Sequence, residues 1–198
     1  MSAPGRRPEY AGRRHLSAIR AGAILALLAA ALTFQPLWAS SQPKPLPPEV
    51  SAFLPELKVR GGGLLRIWGF QVYNAWLWTP GGGAYDPARP FALDIEYLRH
   101  FTAQALAERS IEEMRGQGRG SEAVYPRWLA EMQRVFVDVK PGDRLTGVAT
   151  AERHARFYYN GALRGEIADP AFTEAFFAIW LSERSSQARF RDLLIGKR

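Results

Sequence analysis

Gly61-Gly-Gly-Leu-Leu-Arg-Ile-Trp-Gly-Phe-Gln-Val-Tyr-Asn-Ala-Trp-Leu-Trp78 is the stretch on which the fold turns. Its β-branched and aromatic residues favour strand over Leu64 to Thr79, with the glycine triplet as a turn entering it. If Arg66 to Trp78 is one continuous strand, Arg66, Trp68, Phe70, Val72, Asn74, Trp76 and Trp78 share a face, because strand side chains alternate. That face is an aromatic wall with an amide in it. Burying Asn74 without a hydrogen bond costs about 1–3 kcal/mol, so it should meet backbone, another side chain, water or a ligand, with Arg66 at the rim open to an anion. A bulge at Gly69 would exchange the faces beyond it and bring Tyr73 to that wall instead of Asn74.

Outward from this stretch, Phe91, Leu93, Ile95 and Tyr97 alternate with Ala92, Asp94 and Glu96, which predicts a second strand. Pro80-Gly-Gly-Gly83 and Asp86-Pro87 make the loop between them. Thr102 can cap a helix running to about Arg115, and Pro126 suits the first turn of another through Phe136. Strands return over Arg144–Ala151, His154–Tyr159 and Leu163–Ile167, the last two flanking Asn160-Gly161, a two-residue hairpin turn. Asp169-Pro170 opens a helix through Leu181, and Ser185 or Ser186 can cap a last one to Ile195. Strands, helices, strands, helices in that order predict an α+β domain with an antiparallel sheet.

The first residues have the order of a secretory signal: Arg6, Arg7, Arg13, Arg14 and Arg20, then the apolar run Ala21 to Phe34, then Ala39-Ser40-Ser41. Residues 1–39 are therefore expected to be a signal peptide or, uncleaved, an N-terminal anchor, which places the domain in the periplasm, free or tethered to the inner membrane. Arg13-Arg14 also fits a twin-arginine export signal. Residues 40–56 follow as a proline-rich linker, with Gln42 to Pro48 stiff and without a packing pattern, and residues 57–198 as the domain. The chain's net charge of +7 suggests nucleic acid, but residues 40–198 hold 21 basic and 18 acidic residues, so the excess sits mostly in the leader and the nucleic-acid reading loses its support. There is no cysteine, hence no disulfide, thiolate metal site or lipoprotein attachment point.

Familiar catalytic patterns are missing. Gly61-Gly-Gly63 is not followed by Lys-Ser/Thr as a phosphate loop requires, and no Gly-x-Ser-x-Gly elbow exists. His100 and His154 lack metal-ligand spacing, and the adjacent Glu112 and Glu113 point about 100° apart on a helix. No cofactor or metal is implied.

Gly61 to Ile67, Phe70 to Trp78, and the ending Phe176-Phe-Ala-Ile-Trp-Leu181 with Ser186-Gln-Ala-Arg-Phe-Arg-Asp-Leu-Leu-Ile-Gly196 together resemble the chalcone isomerase-like family in its bacterial, exported form. The resemblance covers nearly the whole domain after the linker. It implies an open-faced β-sandwich, a large antiparallel sheet with helices layered on one face and an apolar cleft between. In the plant enzymes of that family an arginine stabilises a phenolate, a strand threonine and a tyrosine polarise an enone carbonyl, and an asparagine and a late Ser/Thr line the pocket. Here the arginine falls near Gly62, with Arg60 and Arg66 as substitutes, the threonine at Asn74, the tyrosine at Leu106, the asparagine at Glu113, and the late hydroxyl at Ser185 or Ser186.

The expected site thus draws on Arg60, Arg66, Trp68, Phe70, Tyr73, Asn74, Leu106 and Ser186, with Arg66 and Asn74 as the only catalytic candidates. The departures at the arginine and tyrosine favour a non-catalytic binder of a small apolar or amphipathic molecule such as a fatty acid. The alternatives are an isomerase of the intramolecular lyase type acting on a chalcone- or enone-like substrate, and a structural or partner-binding envelope protein. A membrane is expected to be met only through the N-terminal segment, if that stays uncleaved.

Overall fold

The computed structural model describes residues 45–46, 48–54 and 56–197. The expected export segment and the first part of the linker lie outside the described residues. Six strands form one antiparallel sheet in sequence order: β1 Leu57–Ile67, β2 Phe70–Pro80, β3 Phe91–Tyr97, β4 Arg144–Ala149, β5 Ala155–Tyr159 and β6 Ala162–Ile167. A short helix, α1 (Pro48–Phe53), precedes them; α2 (Ala103–Gly116) and α3 (Tyr125–Val135) lie between β3 and β4, and α4 (Pro170–Leu181) and α5 (Ala188–Leu194) follow β6. This is the α+β arrangement expected, an open antiparallel sheet with helices layered on it.

Local chemistry sets the helix ends. Thr102 accepts a hydrogen bond from the Ala105 amide, and Asp169 accepts from the amides of Ala171 and Phe172 with Pro170 beginning the helix. Asn160 and Gly161 both have positive φ, the conformation of a two-residue hairpin turn, and β6 follows directly.

The first hairpin differs from the expected single strand. Trp68 (φ 49°) and Gly69 (φ 83°) form a tight turn, so Arg66 to Trp78 is the end of β1, a turn, and β2. A bulge follows at Val72, since Leu65 pairs with Tyr73 and Arg66 with Gln71. It exchanges the faces, which is why Tyr73, Ala75 and Leu77 join the core beneath the helices while Asn74, Trp76 and Trp78 lie on the other side. A second bulge at Arg60 separates the pairs Val59–Trp78 and Gly61–Leu77. The glycine triplet is therefore inside β1 rather than a turn into it. A Cβ on Gly61 would stand 2.2 Å from the Leu193 carbonyl oxygen of α5, and one on Gly62 2.3 Å from the Trp76 indole, so the triplet lets a helix and a large ring close on the strand.

The two faces are covered unequally. Helices α2 to α5 and the inner side of the sheet enclose the main core, in which Phe136, Phe157, Phe172, Phe176 and Phe177 meet mostly edge to face. On the other face Leu46 and Val50 pack on Leu57, Trp76, Trp78, Val148 and Tyr158. The end of the proline-rich linker is thus a packed helix rather than a free spacer. It is pinned by Arg144, whose guanidinium donates to the Pro45 carbonyl at 3.1 Å while pairing with the fully buried Asp94.

Candidate functional site

Between the inner face of the sheet, helices α2 and α4, and the segment Ser185 to Gln187 ahead of α5 lies an apolar cavity of about 390 Å³. Leu93, Ile95, Leu145 and Phe157 make its floor, and Phe176, Phe177 and Ile179 of α4 make one wall. Helix α2 contributes Leu106, Arg109, Ser110 and Glu113, three and four residues apart and so on one helical face. Gly147 on β4 lets the Phe177 ring approach, since a Cβ there would lie 3.1 Å from it.

Few polar groups reach this space. Trp180 Nε1 donates to the Tyr73 hydroxyl oxygen at 2.8 Å, which leaves the Tyr73 proton for another acceptor. Tyr97 packs against Tyr73 with ring centroids 5.9 Å apart, and its hydroxyl has no hydrogen-bond partner among the described residues. Burial raises both phenols above their ordinary value, opposed at Tyr73 by the Trp180 hydrogen bond, so both are neutral donors at physiological pH. At the mouth, Arg109 pairs with Glu112 at 2.9 Å and with Glu113, and the Ser186 hydroxyl donates to Glu113 at 3.0 Å. The Arg109 side chain is 62% exposed and that of Glu113 only 13%, which sets this cluster at the cavity's solvent edge.

The expected residues separate into three groups. Tyr73, Leu106 and Ser186 line the cavity, with Glu113 and Ser185 also at the wall. Arg66, Trp68 and Phe70 are exposed at the tip of the first hairpin, outside it. Asn74 is buried on the opposite face of the sheet, and Arg60, the bulge residue of β1, donates from Nε to the Ile195 carbonyl at 2.9 Å, tying the chain's last turn to the strand. The two catalytic candidates, Arg66 and Asn74, therefore do not meet across a cavity.

Tyr97, Arg109 and Trp180 were not singled out from the sequence. Tyr97 ends the alternation Phe91, Leu93, Ile95, Tyr97, and Arg109 lies between Leu106 and Glu113 at helical spacing, so both carried a usable signal. Trp180 had none, because α4 is apolar on nearly every side. Among the described residues there is no cluster of His, Cys, Asp or Glu able to hold a metal ion, and no helix long and apolar enough to cross a membrane.

Comparison with curated protein sequences gives no match. Among solved structures, the fold is similar to a fatty-acid binding protein of Arabidopsis thaliana, with a TM-score of 0.56 over 71% of this chain and 87% of that one at 8% identity. At that identity the likeness is one of fold. The family model described as chalcone isomerase-like matches residues 44–196, almost everything from the linker onward, and on that match the chain belongs to the chalcone isomerase-like family.

Proposed function

We propose that this domain binds a fatty acid-like, amphipathic molecule in the cavity beneath α2 and α4 and does so without catalysing ring closure. The observation that carries the reading is the pairing of an almost wholly apolar interior with one pre-aimed donor, the Tyr73 hydroxyl fixed by Trp180. A volume of about 390 Å³ falls within the ~300–1,000 Å³ of ordinary small-molecule sites. An alkyl chain would lie on Leu93, Ile95, Phe157 and Phe176, and a carboxylate or carbonyl would accept from Tyr73 near Arg109 and Ser186 at the mouth. The fold-level likeness to a fatty-acid binding protein supports the same class of ligand.

Cyclisation of a chalcone requires a cation for the phenolate. Arg60 and Arg66, the expected substitutes, are engaged at the C-terminal turn or exposed at the hairpin, and Arg109 is held by two carboxylates. The binder reading needs no such group. Calorimetric titration of delipidated protein with laurate and palmitate tests it. The expected result is stoichiometric binding weakened by Tyr73→Phe; no heat and no protection from unfolding with either acid would refute it.

The leader's residue order further leads us to place this binding outside the cytoplasm. Intact-mass measurement of protein from the envelope fraction tests that: a mature N-terminus near Ser40 supports a free domain, and an uncut chain in the membrane pellet supports a tethered one. Recovery with the cytoplasmic fraction overturns it.

A further inference from the structure

The tip of the first hairpin breaks a local rule. Its two-residue turn has positive φ at both positions, where Asn-Gly is the favoured pair, yet the first position holds Trp68, 94% exposed. A bulky residue in the left-handed region is strained and no packing repays it, since the indole is in solvent. Beside it Phe70 is 60% exposed and Ile67 36%. The Arg99 guanidinium lies over the Phe70 ring at 4.8 Å and donates from Nε to the Gln71 carbonyl at 3.1 Å. Arg66 is exposed, and no carboxylate pairs with Arg66 or Arg99 among the described residues. Ile67 is also part of the cavity wall, as is Val72 at the bulge.

We propose that this tip is a membrane-docking surface, inserting Trp68 and Phe70 at the headgroup level of an anionic bilayer while Arg66 and Arg99 contact lipid phosphates. Indole rings favour that interface, and basic residues next to it gain from negative surface potential. The size of the patch argues against a second copy of the chain. Even at roughly 250 Å² for a whole large side chain, Trp68 at 94%, Phe70 at 60% and Ile67 at 36% exposure together fall well short of the ~800 Å² per partner of a stable protein interface. Charge argues the same way, since two cations with no carboxylate partner among the described residues would repel their own copies across a two-fold contact. The continuity of Ile67 and Val72 with the cavity gives an alkyl chain an apolar path from bilayer to interior. The docking itself does not depend on what fills the cavity.

The test uses the full chain, whose own apolar segment Ala21 to Phe34 can bind vesicles, so the readout must be local to the tip. Because the chain has no cysteine, an environment-sensitive fluorophore can be placed on Gln71→Cys, and on Ala88→Cys in the loop at the other end of the hairpin. With vesicles of phosphatidylcholine and phosphatidylglycerol, the probe at Gln71→Cys should brighten and be quenched by nitroxide-labelled lipid, while the one at Ala88→Cys should not respond. Adding Trp68→Asn with Phe70→Ser should abolish the response without unfolding, because Asn-Gly suits the turn. Adding Arg66→Gln with Arg99→Gln should raise the vesicle concentration for half-response roughly tenfold or more.

A silent probe at Gln71→Cys on vesicles that sediment the protein overturns the proposal, as does a response that survives Trp68→Asn with Phe70→Ser. Self-association that depends on Trp68, with no vesicle response, overturns it in favour of a second copy. Laurate titration of the parent and the tip variants in vesicle-free solution separates the two readings: no laurate binding in the parent, with its vesicle response intact, counts only against the cavity ligand.

Discussion

At Tyr73 a single hydrogen bond decides what the side chain can offer. With Trp180 Nε1 donating to its oxygen at 2.8 Å, one lone pair of the phenol is occupied and its proton is left for an acceptor in the cavity it lines. Tyr73→Phe removes that donor and leaves the indole N–H without its acceptor, so fatty-acid affinity should fall roughly tenfold and urea unfolding should show a loss of about 1 kcal/mol. A double variant with Trp180→Phe, which removes both partners, should recover part of the stability but none of the affinity. Burial raises the Tyr73 and Tyr97 phenols above their ordinary pKa. The stability from keeping them neutral is therefore complete below about pH 10 and is lost as pH rises beyond it. Alkaline unfolding should be less steep in Tyr73→Phe than in the parent. On the opposite face, burial raises the Asp94 carboxyl, with Arg144 and Thr146 opposing. Arg144→Met should push it further, so the variant's deficit is smallest near pH 4 and grows toward neutral pH, reaching about 3–5 kcal/mol by thermal or urea melts. Adding Asp94→Asn should recover much of that deficit, because no buried charge is then stranded.

Among the elements, β1 and β2 carry both what was legible in the sequence and what was not. Helix ends were legible because Thr102, Asp169 and Pro170 act through local hydrogen bonds and a fixed φ, and β3 because it alternates without a break. The first hairpin was not. A turn at Trp68-Gly69 is invisible where the turn residue is an indole, and the bulge at Val72 moves every later side chain of β2 to the other face. One residue of register is the difference between Asn74 and Tyr73 at the cavity. Tyr73 could be named only as the outcome of a bulge, which in the structure falls three residues beyond Gly69. The glycine triplet was read as a turn because a helix closing on a strand comes from chain far away in sequence. Its role is testable. Gly61→Ala sets a methyl group 2.2 Å and 2.6 Å from the backbone oxygens of Leu193 and Leu194, whereas Gly63→Ala meets the flexible Leu193 Cδ1 at 2.8 Å. Gly61→Ala should cost about 1–3 kcal/mol or more in equilibrium unfolding and Gly63→Ala clearly less. Because Phe190 of α5 packs on Tyr73, the first should weaken fatty-acid binding too.

For the molecule as a whole, the cavity is space that the core leaves unfilled between layers that otherwise pack ring against ring. Unfilled apolar space forfeits dispersion contacts, so an occupant of matching chemistry should act as part of the core. A ligand that binds only the folded chain stabilises it by mass action, about 2.7 kcal/mol at a hundredfold excess over Kd. In a domain of this size that corresponds to a rise in Tm of roughly 5–10 °C, read by calorimetry or intrinsic fluorescence with laurate present. The same volume can be filled from within. Ile95 is 5% exposed and stands in the cavity floor, so Ile95→Trp directs an indole into the space a ligand would use. Its Tm without ligand should stay near that of the parent, since the ring gains contacts as it fills the void, and its laurate-dependent rise should vanish. A full rise in Ile95→Trp would mean that the acid binds elsewhere on the molecule. If the variant melts far below the parent, Leu145→Phe, a smaller intrusion from β4, provides the same comparison. Loss of the laurate-dependent rise with retention of the fold then shows that the space between sheet and helices is where the alkyl chain is held.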